Sequence, residues 1–181
     1  MICWNCKESC EHALCVSCGS LQPPPSVPDP FAVLRLSKSY FLEDDEIERA
    51  YRKISRNVHP DRFVKAPAVI RRMALQWMAA INGSREVVLS PTKRARWLAT
   101  GVAEPEEEKM SRDTEFLEQV FELQSLRTSS PEKAKTTIEN LIHILETQLS
   151  ECFQNHESGG NGLELVVDIL DKLQYLHKTR S

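Results

Sequence analysis

Two short groups of residues carry the chemistry this sequence can do. Five of its six cysteines, Cys3, Cys6, Cys10, Cys15 and Cys18, crowd into the first eighteen residues, and Cys152 stands far away. Cys3-x-x-Cys6 and Cys15-x-x-Cys18 are two pairs separated by eight residues. Each pair can turn two sulfurs toward one ion, and four thiolates at about 2.3 Å make a closed tetrahedral zinc site. Gly19, directly after the second pair, eases a tight turn there. Cys10 and His12 lie in the intervening loop, where either could replace a ligand. Zinc in so short a segment first of all folds it; docking of a partner is the second reading. Redox chemistry of the C-x-x-C units is the third, and it expects a βαβ setting that the flanking pattern lacks. A disulfide scaffold would spread its bridges over the whole fold.

The second group is His59-Pro60-Asp61. Pro60 forces His59 out of helical geometry, so a helix must end there and leave a polar pair at the start of a loop. An exposed histidine and aspartate can be acid and base. No third polar group, metal set or glycine-rich phosphate loop joins them, so recognition is the stronger reading.

The elements that position these groups are helical. Asp29 can cap a short helix carrying Phe31, Val33, Leu34 and Leu36, with Pro30 at its first position. A second runs from about Glu43 to Val58. At about 100° per residue, Ile47, Ala50, Tyr51, Ile54 and Val58 share one side, and Arg49, Arg52, Lys53 and Arg56 share the other. The third carries Ile70, Met73, Trp77, Ile81, Ser84 and Val88 and ends near Ser90; Met73 and Trp77 read as core. Ser90-Pro91 opens a short fourth helix through Trp97 and Leu98, closed by Gly101. Beyond an acidic linker from Gly101 to Arg112, three more follow. They run from Asp113 to Leu126, from Ser130-Pro131 along a seam of Ala134, Ile138, Leu141, Leu145, Leu149 and Cys152, and from Leu163 to His177. Cys152 reads as a buried thiol. No run of strand length competes, and no internal repeat is evident. The expected class is all-α: a small zinc-binding cysteine module (residues 1–22), a four-helix domain (29–101) and a three-helix bundle (111–181), the proline-rich stretch after Leu21 separating the first two.

Composition narrows the function. The 181 residues are 41% hydrophobic and 27% charged, and the net charge of −3 supplies no general basic field for nucleic acid or membrane surfaces. No stretch approaches the ~18 apolar residues of a membrane span, and the N-terminus lacks the order of a signal peptide. Met1-Ile2-Cys3 leaves no room for a mitochondrial presequence, so the cytoplasm is expected, or the mitochondrial matrix for a processed chain.

A helix with a basic face, then His-Pro-Asp, then a long apolar helix and a short basic one resembles the J-domain, the module by which co-chaperones stimulate DnaK-type ATPase chaperones. The resemblance covers residues 29 to 101. It implies that His59, Pro60 and Asp61, with Arg49, Arg52, Lys53 and Arg56, engage the chaperone's ATPase domain. Cys3-Trp4-Asn5-Cys6, the later cysteine pair and the following Leu-Gln-Pro resemble the N-terminal metal module of HscB co-chaperones. Thr114 to Leu126 and Asp171 to Leu176 resemble the first and last helices of the HscB C-terminal domain. That family delivers the iron–sulfur scaffold protein IscU to a dedicated DnaK/HscA-type chaperone, so the implied role is that of an adaptor, not an enzyme.

Helical spacing in the C-terminal segment is consistent with a binding surface. Phe116, Leu117, Val120, Phe121, Leu123 and Leu126 cover an arc of about 220°, wider than the roughly 100° stripe that faces one core. In the last helix, Leu163, Val166, Ile169, Leu170, Leu173 and Leu176 form the buried stripe, and Tyr175 points about 180° from its centre. The resemblance places the scaffold contacts on Leu117, Phe121, Glu122 and Tyr175. Glu118 stands where the family has an apolar residue, Ser125 where it has a carboxylate, and the final helix is short. A general J-protein with another client is the main rival reading; a zinc-dependent nucleic-acid adaptor and an enzyme are weaker ones.

Overall fold

The computed structural model describes residues 2–104 and 113–180; most of the segment read as an acidic linker, residues 105–112, lies outside the described residues. The described residues hold seven α-helices and two 3-10 turns, and pair strands only as isolated bridges. They divide into two compact units, Met1–Arg94 and Ala95–Ser181, with the division inside the fourth helix.

In the first unit, Asp29 caps α1 (Pro30–Leu34), accepting from Phe31 N at 3.0 Å and Ala32 N at 3.3 Å. Arg35 ends it in the left-handed region at φ 55°, so Leu36 lies beyond the helix and is only half-buried. Helix α2 (Asp44–Val58) has Asp44, Asp45 and Glu46 in its first turn and Arg56 in its last, the arrangement its dipole favours. Tyr51 meets Asn82 and Glu48 meets Arg85, so α2 runs antiparallel to α3 (Ala68–Leu89). Between them Ile47, Ile54, Val58, Ala74, Trp77, Ile81 and Val88 are buried. Ile70 and Met73 are half-buried, because the stripe of α3 shifts to Ala74 in its first turns. Helix α4 (Pro91–Thr100) begins in this unit with a buried Arg94, whose guanidinium donates to the carbonyls of Val88 (3.0 Å) and Leu42 (3.3 Å). Burial holds that guanidinium below its ordinary pKa.

In the second unit α5 (Thr114–Ser129), α6 (Pro131–Glu157) and α7 (Val166–Arg180) form the bundle. Leu163 falls in a 3-10 turn ahead of α7 and is half-buried. The seam of α6 is Ala134, Ile138, Ile142, Leu145, Leu149 and Phe153. It passes through Ile142 and Phe153 instead of Leu141 and Cys152, its steps lying nearer four residues than the 3.6-residue turn, so the buried line drifts slowly around this long helix. Cys152 is therefore half-buried, and burial still raises its thiol pKa. Arg96, from the middle of α4, pairs with Asp171 of α7 at 2.7 Å, their side chains 9% and 13% exposed.

Candidate functional site: a four-sulfur cluster, a charged corner and an open helix face

The cysteine module is two copies of one knuckle, twelve residues apart, which corrects the reading that the chain has no repeat. In the first, Cys3 N donates to Glu8 O (2.8 Å) and Lys7 N to Cys3 O (3.1 Å); in the second, Cys15 N donates to Ser20 O (3.0 Å) and Gly19 N to Cys15 O (2.8 Å). Ile2 bridges to Ser9, and Leu14 to Leu21. Each knuckle needs a left-handed residue after its second cysteine, supplied by Lys7 (φ 65°) and Gly19 (φ 71°). Lysine in the position of glycine hides the repeat in the sequence.

The knuckles bring together Cys3, Cys6, Cys15 and Cys18, whose sulfurs all lie within 4.8 Å of one another. Cys3 and Cys18 are 3.6 Å apart, as are Cys6 and Cys15. A regular tetrahedron with sulfurs at about 2.3 Å from its centre has edges of about 3.8 Å, so the four residues fit a metal ion. The Ser20 hydroxyl and backbone pull the Cys18 thiol down to about 6. The Glu8 backbone acts in the same direction on Cys6, but burial and the Cys18, Cys3 and Cys15 sulfurs push it up to about 12. Four sulfurs so close cannot all be anionic without a cation between them. Cys10 is buried beside Cys3 and Cys15 but outside this set, its thiol donating to His12 O at 3.2 Å.

His59 ends α2, and Pro60 opens a 3-10 turn, Pro60–Phe63, where a loop was expected. The cause is His59 itself: its Nδ1 accepts from Asp61 N at 3.3 Å and caps the turn. The Asp61 carboxylate, 86% exposed, lies 3.4 Å from the same nitrogen. Arg62 donates to Arg56 O at 3.1 Å, fastening the turn to α2. Arg49, Arg52, Lys53 and Arg56, all exposed, line with Asn57 one groove of about 490 Å³. Four cations thus line α2 and an open carboxylate stands in the turn after it, an arrangement suited to a partner that offers both signs of charge.

On α5, Phe116, Val120 and Leu123 are buried, Leu117 and Leu126 are half-buried, and Phe121 is 76% exposed. Phe121 is the surplus of the wide apolar arc. Glu118, Glu122 and Ser125 are exposed at neighbouring turns. Tyr175 departs from expectation: it packs edge-to-face on Phe116, centroids 6.0 Å apart, and is half-buried. Position on α7 alone did not reveal α5 beside it. Lys172 clamps the two helices through Asp113 Oδ2 at 2.6 Å and sits 5.6 Å from the Phe116 ring.

No family model matches the chain. A co-chaperone HscB homologue of Paraburkholderia phymatum is 31% identical over 121 residues, covering 65% of this chain and 69% of that protein. The chain belongs to the HscB co-chaperone family. The mouse iron–sulfur cluster co-chaperone HscB is 23% identical over 181 residues, spanning 96% of this chain and 77% of its own length. The crystal structure of human HscB shares the fold, with a TM-score of 0.79 at 22% identity over 99% of this chain and 94% of that one.

In this HscB-family chain the structure brings the four cysteines together, sets the four cations on one groove of the helix that ends at His59, and places Leu117, Phe121 and Glu122 on α5 with Tyr175 of α7 against its first turn. Sequence reasoning missed Gln22, which is fully buried with its amide on the Cys3 sulfur at 3.2 Å. Its signal in the sequence was its place in the Leu-Gln-Pro that follows the second cysteine pair.

Proposed function

We propose that the chain is an iron–sulfur cluster co-chaperone that joins a DnaK/HscA-type ATPase chaperone to an IscU-type scaffold protein. The observation that carries this reading is the open Asp61 carboxylate in the turn that follows the helix of four exposed cations, in a chain of the HscB family. The J-domain, residues 29–101, engages the chaperone through His59, Pro60 and Asp61 and through Arg49, Arg52, Lys53 and Arg56. Cations steer the encounter with an acidic surface, and Asp61 pairs with a cation of the partner. The bundle, residues 111–181, holds the scaffold on Leu117, Phe121, Glu122 and Tyr175. One molecule that binds both raises the scaffold's effective concentration at the chaperone. The chain performs no reaction of its own; it biases the partner's cycle. The cysteine module takes a zinc ion, which four thiolates in a closed tetrahedral set favour, and that ion orders the two knuckles.

A general J-protein with a different client is the second reading, favoured by the charge of Glu118 in the middle of the α5 patch. Asp61→Asn tests the main proposal. Stimulation of the partner ATPase is lost, while thermal stability stays within about 0.5 kcal/mol, because so exposed a side chain supports no core. Undiminished stimulation refutes the assignment.

A further inference from the structure

We propose that Gln22 couples the metal cluster to the J-domain core, so that metal occupancy governs the local order of α3 around Trp77. This rests on the reading that the four cysteines hold zinc.

Gln22 is fully buried, and every polar group it has is used. Its side-chain Nε2 donates to Cys3 Sγ at 3.2 Å and to Ser20 O at 2.8 Å, and its Oε1 accepts from Trp4 N at 3.1 Å. Its backbone N donates to Ala13 O at 2.7 Å, and its carbonyl accepts from Trp77 Nε1 at 2.6 Å. One residue therefore touches both knuckles, a metal ligand and the middle of α3. Pro23 follows it and restricts its backbone to the extended region, which fixes the direction of that carbonyl.

The chemistry of each end is distinct. An amide N–H on a thiolate orients the sulfur and removes part of its charge without bringing a second cation into the cluster; outer contacts of this kind are worth about 10- to 100-fold in metal affinity. At the other end, the buried indole N–H of Trp77 donates to that carbonyl. Knuckles that fold only around a metal lose their shape with it. The carbonyl then leaves, and a buried donor without a partner favours opening of the helix that carries it.

Two measurements on the full chain test this: zinc affinity by competition with a chromogenic chelator, and amide hydrogen exchange across residues 74–81 with zinc bound and after chelation. In the wild type, chelation speeds exchange in α3. Gln22→Met keeps the length and the backbone carbonyl but removes the amide, and zinc affinity falls about 10- to 100-fold. Gln22→Glu keeps the acceptor for Trp4 N, sets a carboxylate against the thiolates, and also binds zinc more weakly. Trp77→Phe removes the indole donor: its α3 exchange no longer responds to chelation and, because such a coupling is reciprocal, its zinc affinity also falls. Wild-type exchange in α3 that ignores chelation overturns the coupling alone, as does wild-type zinc affinity in both Gln22 variants. A wild-type chain that binds no zinc overturns the metal reading along with it.

Discussion

Replacing Phe121 by alanine separates a binding residue from a core residue five positions away on the same helix. A phenylalanine side chain buries roughly 150–250 Å², and Phe121 leaves 76% of its surface open. About 150 Å² is therefore available to a partner, which at about 25 cal/mol per Å² sets a ceiling near 4 kcal/mol. Alanine retains the β-carbon, so the expected loss is about 2–3 kcal/mol, or roughly 30- to 150-fold in affinity for the scaffold protein. Folding stability falls by less than about 1 kcal/mol, because little of the ring is packed. Phe116, 4% exposed on the same helix, behaves oppositely: alanine there costs about 3–5 kcal/mol of folding stability. Calorimetric titration with an IscU-type scaffold and urea denaturation read the two quantities. Unchanged scaffold affinity in Phe121→Ala, or a stability loss matching that of Phe116→Ala, refutes the assignment of this face.

Two further outcomes concern the bundle. Asp171→Leu strands the Arg96 guanidinium, whose side chain is 9% exposed; a loss of about 3–5 kcal/mol in urea is expected, largely recovered when Arg96→Leu is added. A loss below about 1 kcal/mol contradicts it. Acid weakens the α5–α7 clamp: the Lys172 ammonium, ahead of the Glu115 and Phe116 backbone amides, holds the Asp113 carboxyl below its ordinary range. A depressed folded pKa gives stability that is complete above the ordinary aspartate value of about 3.9 and is lost as pH falls through the folded value. Asp113→Asn, which keeps a capping oxygen, should flatten that part of the urea midpoint against pH; an unchanged acid limb contradicts the clamp.

Local signals were legible where one segment decides the outcome. Asp29 caps α1, Pro60 ends α2 at His59, and the two cysteine pairs converge, each because neighbouring residues alone set the geometry. The apolar excess on α5 was legible too, and Phe121 is its exposed remainder. Residues whose surroundings come from elsewhere in the chain were not. Tyr175 looked exposed until α5 supplied Phe116, the buried arginines of α4 depend on Leu42 and Val88 and on Asp171, and Gln22 owes its burial to Cys3 and Trp77. The seam of α6 was not legible in full because α5 and α7, packed against it, decide which line of this 27-residue helix is buried.

ATP turnover by the cognate DnaK-type chaperone, measured with this chain, with the scaffold protein and with both, distinguishes an adaptor from a protein that only touches the chaperone. An adaptor that engages the motor at Asp61 and presents its client from the bundle gives a rate with both present that exceeds the sum of the separate stimulations. A rate no higher than that sum, or no stimulation by the chain at all, contradicts it.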